Sequence, residues 1–143
     1  MRFVELAFKF DLTRVAYLWE HGQNHGATHH GGRTKPGDAL YRHAKGTVEA
    51  IATTLTNFKE TKMAGGNSLL DETLFVWTAA LGNAAGHTGN NAPAIVAGGG
   101  LGHHGRYTHF EELEQNTRLY LSVIENMGLE VKNFSDSSKP LSL

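Results

Sequence analysis

The sequence predicts one α/β domain, with a mainly parallel sheet and helices packed on its faces. Short apolar runs rich in β-branched and aromatic residues alternate along the chain with segments of helical period. The chain has 143 residues, 40% of them hydrophobic, which suits a single domain with its own core. The sequence shows no internal repeat and no linker, so residues 1–143 are expected to form one domain.

The first half of the chain contains two predicted helices and one predicted strand. In the first helix, residues 2–10, the apolar residues share one face: Phe3, Leu6, Ala7 and Phe10. Residues 12–19, LTRVAYLW, have the composition of a strand. Residues 39–63 return to helical period, with an apolar stripe made of Ala44, Val48, Ile51, Ala52, Leu55 and Phe58. Gly65 and Gly66 are typical of the end of a helix.

The second half adds two strands and a last helix. The nearly continuous apolar run TLFVWTAAL, residues 73–81, predicts a central strand covered on both faces. Residues 92–98, APAIVAG, predict another buried strand. Residues 110–127 predict a helix with an acidic first turn, which suits the helix dipole, and Gly128 is a plausible end for it. The polar tail, residues 133–143, is expected to pack loosely.

Charge and composition argue against several classes of protein. The net charge is −1 with neutral histidines, and the chain has no basic run, so we expect no nucleic-acid partner. The chain has no cysteine, which excludes disulfides and thiolate metal sites. No apolar run approaches the roughly 18 residues of a membrane span, and no membrane partner is expected. The first 15 residues do not resemble a signal peptide, because charged residues interrupt them and no cleavage site follows. The sequence therefore predicts no particular cellular compartment for the protein.

Histidine and glycine are concentrated in loops. The chain has nine histidines and 17 glycines. NHGATHH, residues 24–30, holds three of the histidines, and GHTGNNAP, residues 86–93, holds a fourth. GLGHHG, residues 100–105, is a third His/Gly loop. Each of the three follows a predicted strand, and sites in parallel sheets lie beyond the carboxyl ends of the strands. We therefore expect these loops to meet at one edge of the sheet.

The loop histidines predict a metal site. His25 and His29 are four residues apart, a spacing that can hold one cation, and His87 could be a third ligand from another loop. Three histidines with one open position are an arrangement of catalytic zinc. We predict a divalent metal, zinc first, with manganese or iron as alternatives, and His30 as an alternative ligand or substrate contact. The competing interpretation is that these histidines are hydrogen-bonding surface residues.

Two other interpretations are weaker. GLGHHG, residues 100–105, fits the G-x-G-x-x-G pattern of dinucleotide sites, but His103 and His104 fill the positions that approach a pyrophosphate. The alternative is a glycine turn that closes over the metal site.

The sequence has no G-x-S-x-G nucleophile motif, so it identifies no catalytic residues.

Five stretches in order resemble a known family: DLTRVAYLW, HGATHH, LLDETLFVWTAALG, HTGNNAPAIVAGGG and NFSDSSKPL. Together they are similar to the C-terminal part of an uncharacterised bacterial family of unknown function in the alkaline phosphatase-like, or sulfatase-like, superfamily. The resemblance covers nearly the whole chain. It implies a partial alkaline-phosphatase-like fold, the C-terminal portion of a larger domain, and a family that is often exported in bacteria.

The resemblance also implies a site. His25 and His29 stand where the family has a metal-binding pair, with histidine in place of aspartate, and His87 stands where it has the third ligand of that metal. An Asp-His pair of the family falls at Ala79 and Ala80, which cannot bind a metal. The family's nucleophile has no counterpart in this chain.

The function that the resemblance implies is that of a partial metallohydrolase, in a family that hydrolyses phosphate or sulfate esters. A small-molecule ester or anion would be its substrate, and this chain alone would be weakly active or inactive. The alternative is a non-catalytic metal-binding or assembly module. A truncated parallel sheet would leave an open edge that favours self-association.

Overall fold

The computed structural model describes residues 2–19, 39–83, 85–99, 101, 105–110 and 114–142. This part of the chain contains three helices and two strands, in the order α1 (Arg2–Lys9), α2 (Ala39–Glu60), β1 (Leu74–Thr78), β2 (Ala94–Gly98) and α3 (Asn116–Asn126). None of the described helices is long and apolar enough to cross a membrane.

The sheet is antiparallel, so the predicted mainly parallel sheet with helices on its faces is wrong. β1 and β2 form a two-stranded sheet in which Leu74 lies opposite Gly98 and Thr78 opposite Ala94. A parallel pair needs a crossover connection, usually a helix, to bring the chain back to its starting edge. The described residues of the connection 79–93 contain no helix. The connection instead returns directly, and the amide of Ala79 donates to the carbonyl of Pro93 at 3.0 Å.

Residues 12–19 form no strand in the structure, although their composition predicts one. They are exposed along their whole length and pair with neither β1 nor β2. α1 ends just before them, where Asp11 adopts the left-handed conformation (φ 50°) common after the last turn of a helix. The predicted strand at residues 12–19 is therefore wrong for the described structure, because a strand forms only where another strand supplies hydrogen-bond partners.

The buried apolar residues lie on the second half of α2, in the turn after it and on α3. They are Ile51, Phe58, Leu69, Leu119 and Leu121. The ring of Phe58 packs edge-on against the ring of Phe8 in α1, with centroids 6.3 Å apart. Of the predicted α2 stripe, Ile51 and Phe58 are buried and Leu55 is half-buried, whereas Ala44, Val48 and Ala52 are exposed. α2 therefore anchors the fold through its last three turns.

α3 begins at Asn116, six residues later than predicted, and packs against both the sheet and the tail. The hydroxyl groups of Tyr120 and Thr78 are hydrogen-bonded at 3.0 Å, which joins α3 to β1. The Ser122 hydroxyl donates to the carbonyl of Leu141 at 2.7 Å, and the Arg118 guanidinium donates to the carbonyl of Lys139 at 2.9 Å. The tail is therefore held on α3 by hydrogen bonds, whereas the sequence predicted loose packing.

Candidate metal site

His87 lies in a hydrogen-bonded turn within the connection between β1 and β2, of which all but residue 84 is described. Asn83 and Thr88 form an isolated bridge, in which Thr88 donates to the Asn83 carbonyl at 3.1 Å and Asn83 donates back at 3.3 Å. The Asn83 side chain closes the turn from inside, since its Oδ1 accepts from the amide of Gly86 at 3.0 Å. His87 is thus one residue from a bridge that fixes the backbone on both sides.

The backbone of His87 is in the left-handed region, with φ 51°. Few non-glycine residues adopt this conformation, although histidine is enriched there, and such strain costs of the order of 1–3 kcal/mol. The residue is exposed to solvent. Surrounding contacts must hold His87 in this strained conformation, and here the hydrogen bonds of the turn do so. Strained residues that are held in this way are concentrated at functional sites, so His87 is a candidate functional residue.

The shape of this loop depends on Gly82. A Cβ built at Gly82 would lie 2.6 Å from the carbonyl carbon of Asn91 and 2.7 Å from the amide nitrogen of Ala92, and it would also overlap the carbonyl oxygen of Asn90. The connection therefore has two arms, Gly82 on one side and residues 90–92 on the other, whose backbones are in direct contact. Gly89 in the same loop has open space around it, with no atom within 4 Å of a built Cβ. Gly82 is a packing requirement that the sequence alone did not reveal.

The other predicted ligands lie outside the described residues. This holds for His25, His29 and His30, so the structure does not place them relative to His87. In the part of the chain that the structure describes, no three His, Asp or Glu residues are grouped as metal ligands would be. Ala79 and Ala80 directly follow β1, where the resemblance places an Asp-His pair.

The antiparallel sheet overturns the expectation that the His/Gly loops share one edge. In an antiparallel pair, the carboxyl ends of the strands lie at opposite ends of the sheet. The loop with His87 follows β1. The segment after β2 begins with Gly99, whose amide donates to the carbonyl of Thr73 at 2.8 Å, at the start of β1. His103 and His104, further along that segment, lie outside the described residues.

A polar cluster that sequence reasoning missed holds the tail against the start of α3. The Thr117 hydroxyl donates to a carboxylate oxygen of Asp136 at 2.8 Å, and the Gln115 amide donates to the other at 3.1 Å. The hydroxyl of Ser137 is buried and donates to Gln115 at 2.9 Å. The cluster contains no histidine or lysine that could act as a general base for a serine or threonine hydroxyl. We therefore assign it a structural role, which is to anchor the tail. The run of short polar residues SDSS, residues 135–138, is the sequence feature from which this hydrogen-bonded cluster could have been predicted.

The clearest electrostatic feature is at the end of α1. The Arg14 guanidinium donates two hydrogen bonds to the Asp11 carboxylate, at 3.0 and 3.1 Å. These bonds and the attraction of the two charges hold the pKa of Asp11 below its ordinary value and raise that of Arg14. Both side chains are exposed, so the pair orders the residues after α1 locally.

Comparison with known protein families, curated proteins and solved structures finds no match to this chain. The resemblance to the alkaline phosphatase-like superfamily therefore stays a prediction that rests on the motifs themselves.

Proposed function

We propose that the chain binds one divalent metal ion, zinc most readily, through the imidazoles of His25, His29 and His87. His30 is an alternative ligand or a substrate contact. The observation that carries the proposal is the conformation of His87, which is exposed and strained on a turn closed by three hydrogen bonds. Manganese or iron are alternative ions for the same nitrogen ligands.

The proposed ligands are imidazole nitrogens, which are common ligands of zinc in proteins. The chain has no cysteine, so nitrogen and carboxylate ligands are the ones available. His87 is presented on a turn that is already closed, so little further ordering of this loop is needed when it binds an ion. Three imidazoles would leave one coordination position open for water or an anion.

The resemblance supports hydrolysis of phosphate or sulfate esters as the reaction in which such a site would serve. A bound metal ion polarises an ester oxygen and activates water in reactions of this kind. This chain's own contribution would be to hold the ion through its histidines. Ala79 and Ala80 supply no second set of ligands, so we expect weak or no turnover by this chain alone. The alternative is a metal-binding or assembly module without catalysis.

Isothermal titration of the metal-free chain with zinc tests the proposal. We expect about one equivalent to bind, and His87→Ala to weaken binding by at least about tenfold, because loss of a ligand affects affinity at least as much as loss of a supporting contact. His109→Ala is the matched control, since His109 is also an exposed histidine outside the helices and strands. Equal zinc affinity in His87→Ala and the wild-type chain would contradict the proposal.

Aryl phosphates and aryl sulfates test the reaction separately, with the zinc-loaded or manganese-loaded chain. We expect rates close to those of the buffer. Strong turnover that His87→Ala abolishes would establish a competent hydrolase. Strong turnover unchanged by His87→Ala would exclude this metal site from the reaction.

A further inference from the structure

The residues that follow α1 expose an unusual amount of apolar surface. We call residues 10–19 the apolar segment. Its large apolar side chains are between 56% and 78% exposed, and they are Phe10, Leu12, Val15, Tyr17, Leu18 and Trp19. Scattered exposed apolar residues are normal, but six within ten consecutive residues make one apolar patch along the chain, and such concentrations mark interaction sites.

The size of this patch is that of a protein interface. An aromatic residue offers about 200 Å² for burial, so the exposed parts of Phe10, Tyr17 and Trp19 amount to roughly 400 Å². The three aliphatic residues bring the total to roughly 600 Å², the upper end of what a typical monomer exposes in one patch. Two such segments, each docked on another copy, would cover about 1,200 Å², which reaches the range of specific protein interfaces.

The sheet offers an open edge for such a segment. Hydrogen bonds join Thr73 to Gly99 and Ala79 to Pro93, at the two ends of the ladder. Because hydrogen-bonded pairs alternate along an antiparallel ladder, the backbone N–H and C=O groups of the even-numbered residues of β1 point away from β2. These residues are Leu74, Val76 and Thr78. No described strand pairs with this edge.

The apolar segment has the composition of the missing strand. Residues 12–19 are rich in β-branched and aromatic side chains, the types favoured in strands. In an extended chain, Val15, Tyr17 and Trp19 would share one face. The rings of Tyr17 and Trp19 are already neighbours, with centroids 6.5 Å apart. β2 is the poorer acceptor of the two strands, since Pro93 precedes it and glycine ends it.

We propose that residues 12–19 of one copy add as a strand to the β1 edge of a second copy, and that the second copy does the same in return. The result is a closed two-fold dimer, because the same two surfaces meet twice. Main-chain hydrogen bonds to β1 supply the alignment, and the side chains of the apolar segment supply the buried area. The occupant is a second copy because this reciprocal contact covers both the segment and the edge with surfaces that the chain itself carries.

Sedimentation velocity over a wide concentration range, with a chelator present, tests the assembly without contribution from metal. We expect a reversible dimer. Tyr17→Arg should raise its dissociation constant by at least about tenfold, the usual loss for a buried aromatic anchor. Tyr107→Arg is the matched control, since Tyr107 is 87% exposed and outside the segment. A monomer at every concentration, or equal weakening by both variants, would overturn the proposal.

Disulfide trapping tests the location of the contact, and the natural chain offers no competing thiol. A tagged Tyr17→Cys chain mixed with an untagged Val76→Cys chain should give a mixed disulfide-linked dimer. Tyr107→Cys mixed with Val76→Cys should not. Val15→Pro and Ala16→Pro, which each remove one amide donor and leave the aromatic side chains in place, should weaken the dimer if the segment pairs as a strand. A Tyr17→Cys/Val76→Cys double variant that closes a disulfide within a monomer would show that the segment pairs with its own sheet, and the proposal would be wrong.

Discussion

Gly82→Ala is the variant that most directly tests how the structure presents His87. A methyl group at Gly82 would lie 2.6 Å from the Asn91 carbonyl carbon, whereas ordinary carbon–carbon contacts are about 3.5–4.0 Å. The two arms of the loop would therefore have to separate by more than about 1 Å, because the methyl group also overlaps the Asn90 carbonyl oxygen. The obstacle is backbone, which cannot rotate away as a side chain could. Overpacking of this kind costs about 1–3 kcal/mol.

The expected result is a local one. Separating the arms strains the hydrogen bond from the amide of Gly82 to the carbonyl of Thr88, now 3.2 Å, and with it the bridge beside His87. If this turn holds a metal ligand, zinc affinity should fall by about five- to 150-fold, the equivalent of about 1–3 kcal/mol. Circular dichroism should show the helices unchanged, because the backbone hydrogen bonds of this loop join residues 82–92 to one another and none of them involves α2 or α3.

Gly89→Ala is the matched control in the same loop. A Cβ at Gly89 meets no atom within 4 Å, and the residue is not in a left-handed conformation, so neither stability nor zinc affinity should change by more than about 0.5 kcal/mol. Zinc titration and chemical denaturation of both variants form the assay. Equal zinc affinity in Gly82→Ala and wild type, with the same loop amide shifts in NMR spectra, would refute the close approach of the two arms.

Three further variants test the packing and the charges. Phe58→Ala should lower the free energy of unfolding by about 3–5 kcal/mol in urea, since this ring is 2% exposed; a loss below about 1 kcal/mol would contradict its place in the core. Ser122→Ala should cost about 1 kcal/mol and speed hydrogen exchange in the tail, because it removes the hydrogen bond to the Leu141 carbonyl; unchanged exchange would mean that the tail is held otherwise. Arg14→Gln should raise the pKa of Asp11 toward 3.8 in a carboxyl NMR titration, and an unchanged value would rule out the pair. The pKa of Asp11 is lower in the folded chain than in the unfolded chain. The ion pair therefore stabilises the end of α1 fully at a pH above the unfolded-state pKa, and this stabilisation is lost as the pH falls through the folded-state pKa.

Helical period predicted the helices well, because it depends on local spacing. α1 and α2 begin where the apolar spacing predicts them and end within three residues of the predicted bounds. α3 was predicted to start at residue 110 with an acidic first turn, but it begins at Asn116, since acidic residues suit the start of a helix without fixing its position. Burial was harder to predict: Ala44, Val48 and Ala52 of the α2 stripe are exposed, because helical spacing shows which residues share a face but not which part of that face is covered.

The strands show where sequence reasoning fails. An apolar run predicts that a strand exists, and β1 and β2 confirm this at 74–78 and 94–98. The direction of pairing depends on the connection, and a 15-residue glycine-rich loop without a described helix returned the chain antiparallel. The prediction of one shared edge for the histidine loops depended on a parallel sheet, so it failed for the same reason. The motif made His87 a candidate ligand, which stays a prediction. Its left-handed backbone and the contact of its loop with Gly82 could not be predicted, because both arise from contacts across the loop.

The metal content of the chain, purified without an affinity tag or chelator, tests the central claim most directly. The comparison is with a His25→Ala/His87→Ala double variant, which removes one imidazole from each loop. Our account predicts about one equivalent of zinc, manganese or iron in the wild-type chain and a loss of that metal in the double variant. Absence of metal from both proteins, or equal metal in both, would contradict it and would leave His25 and His87 as hydrogen-bonding loop residues.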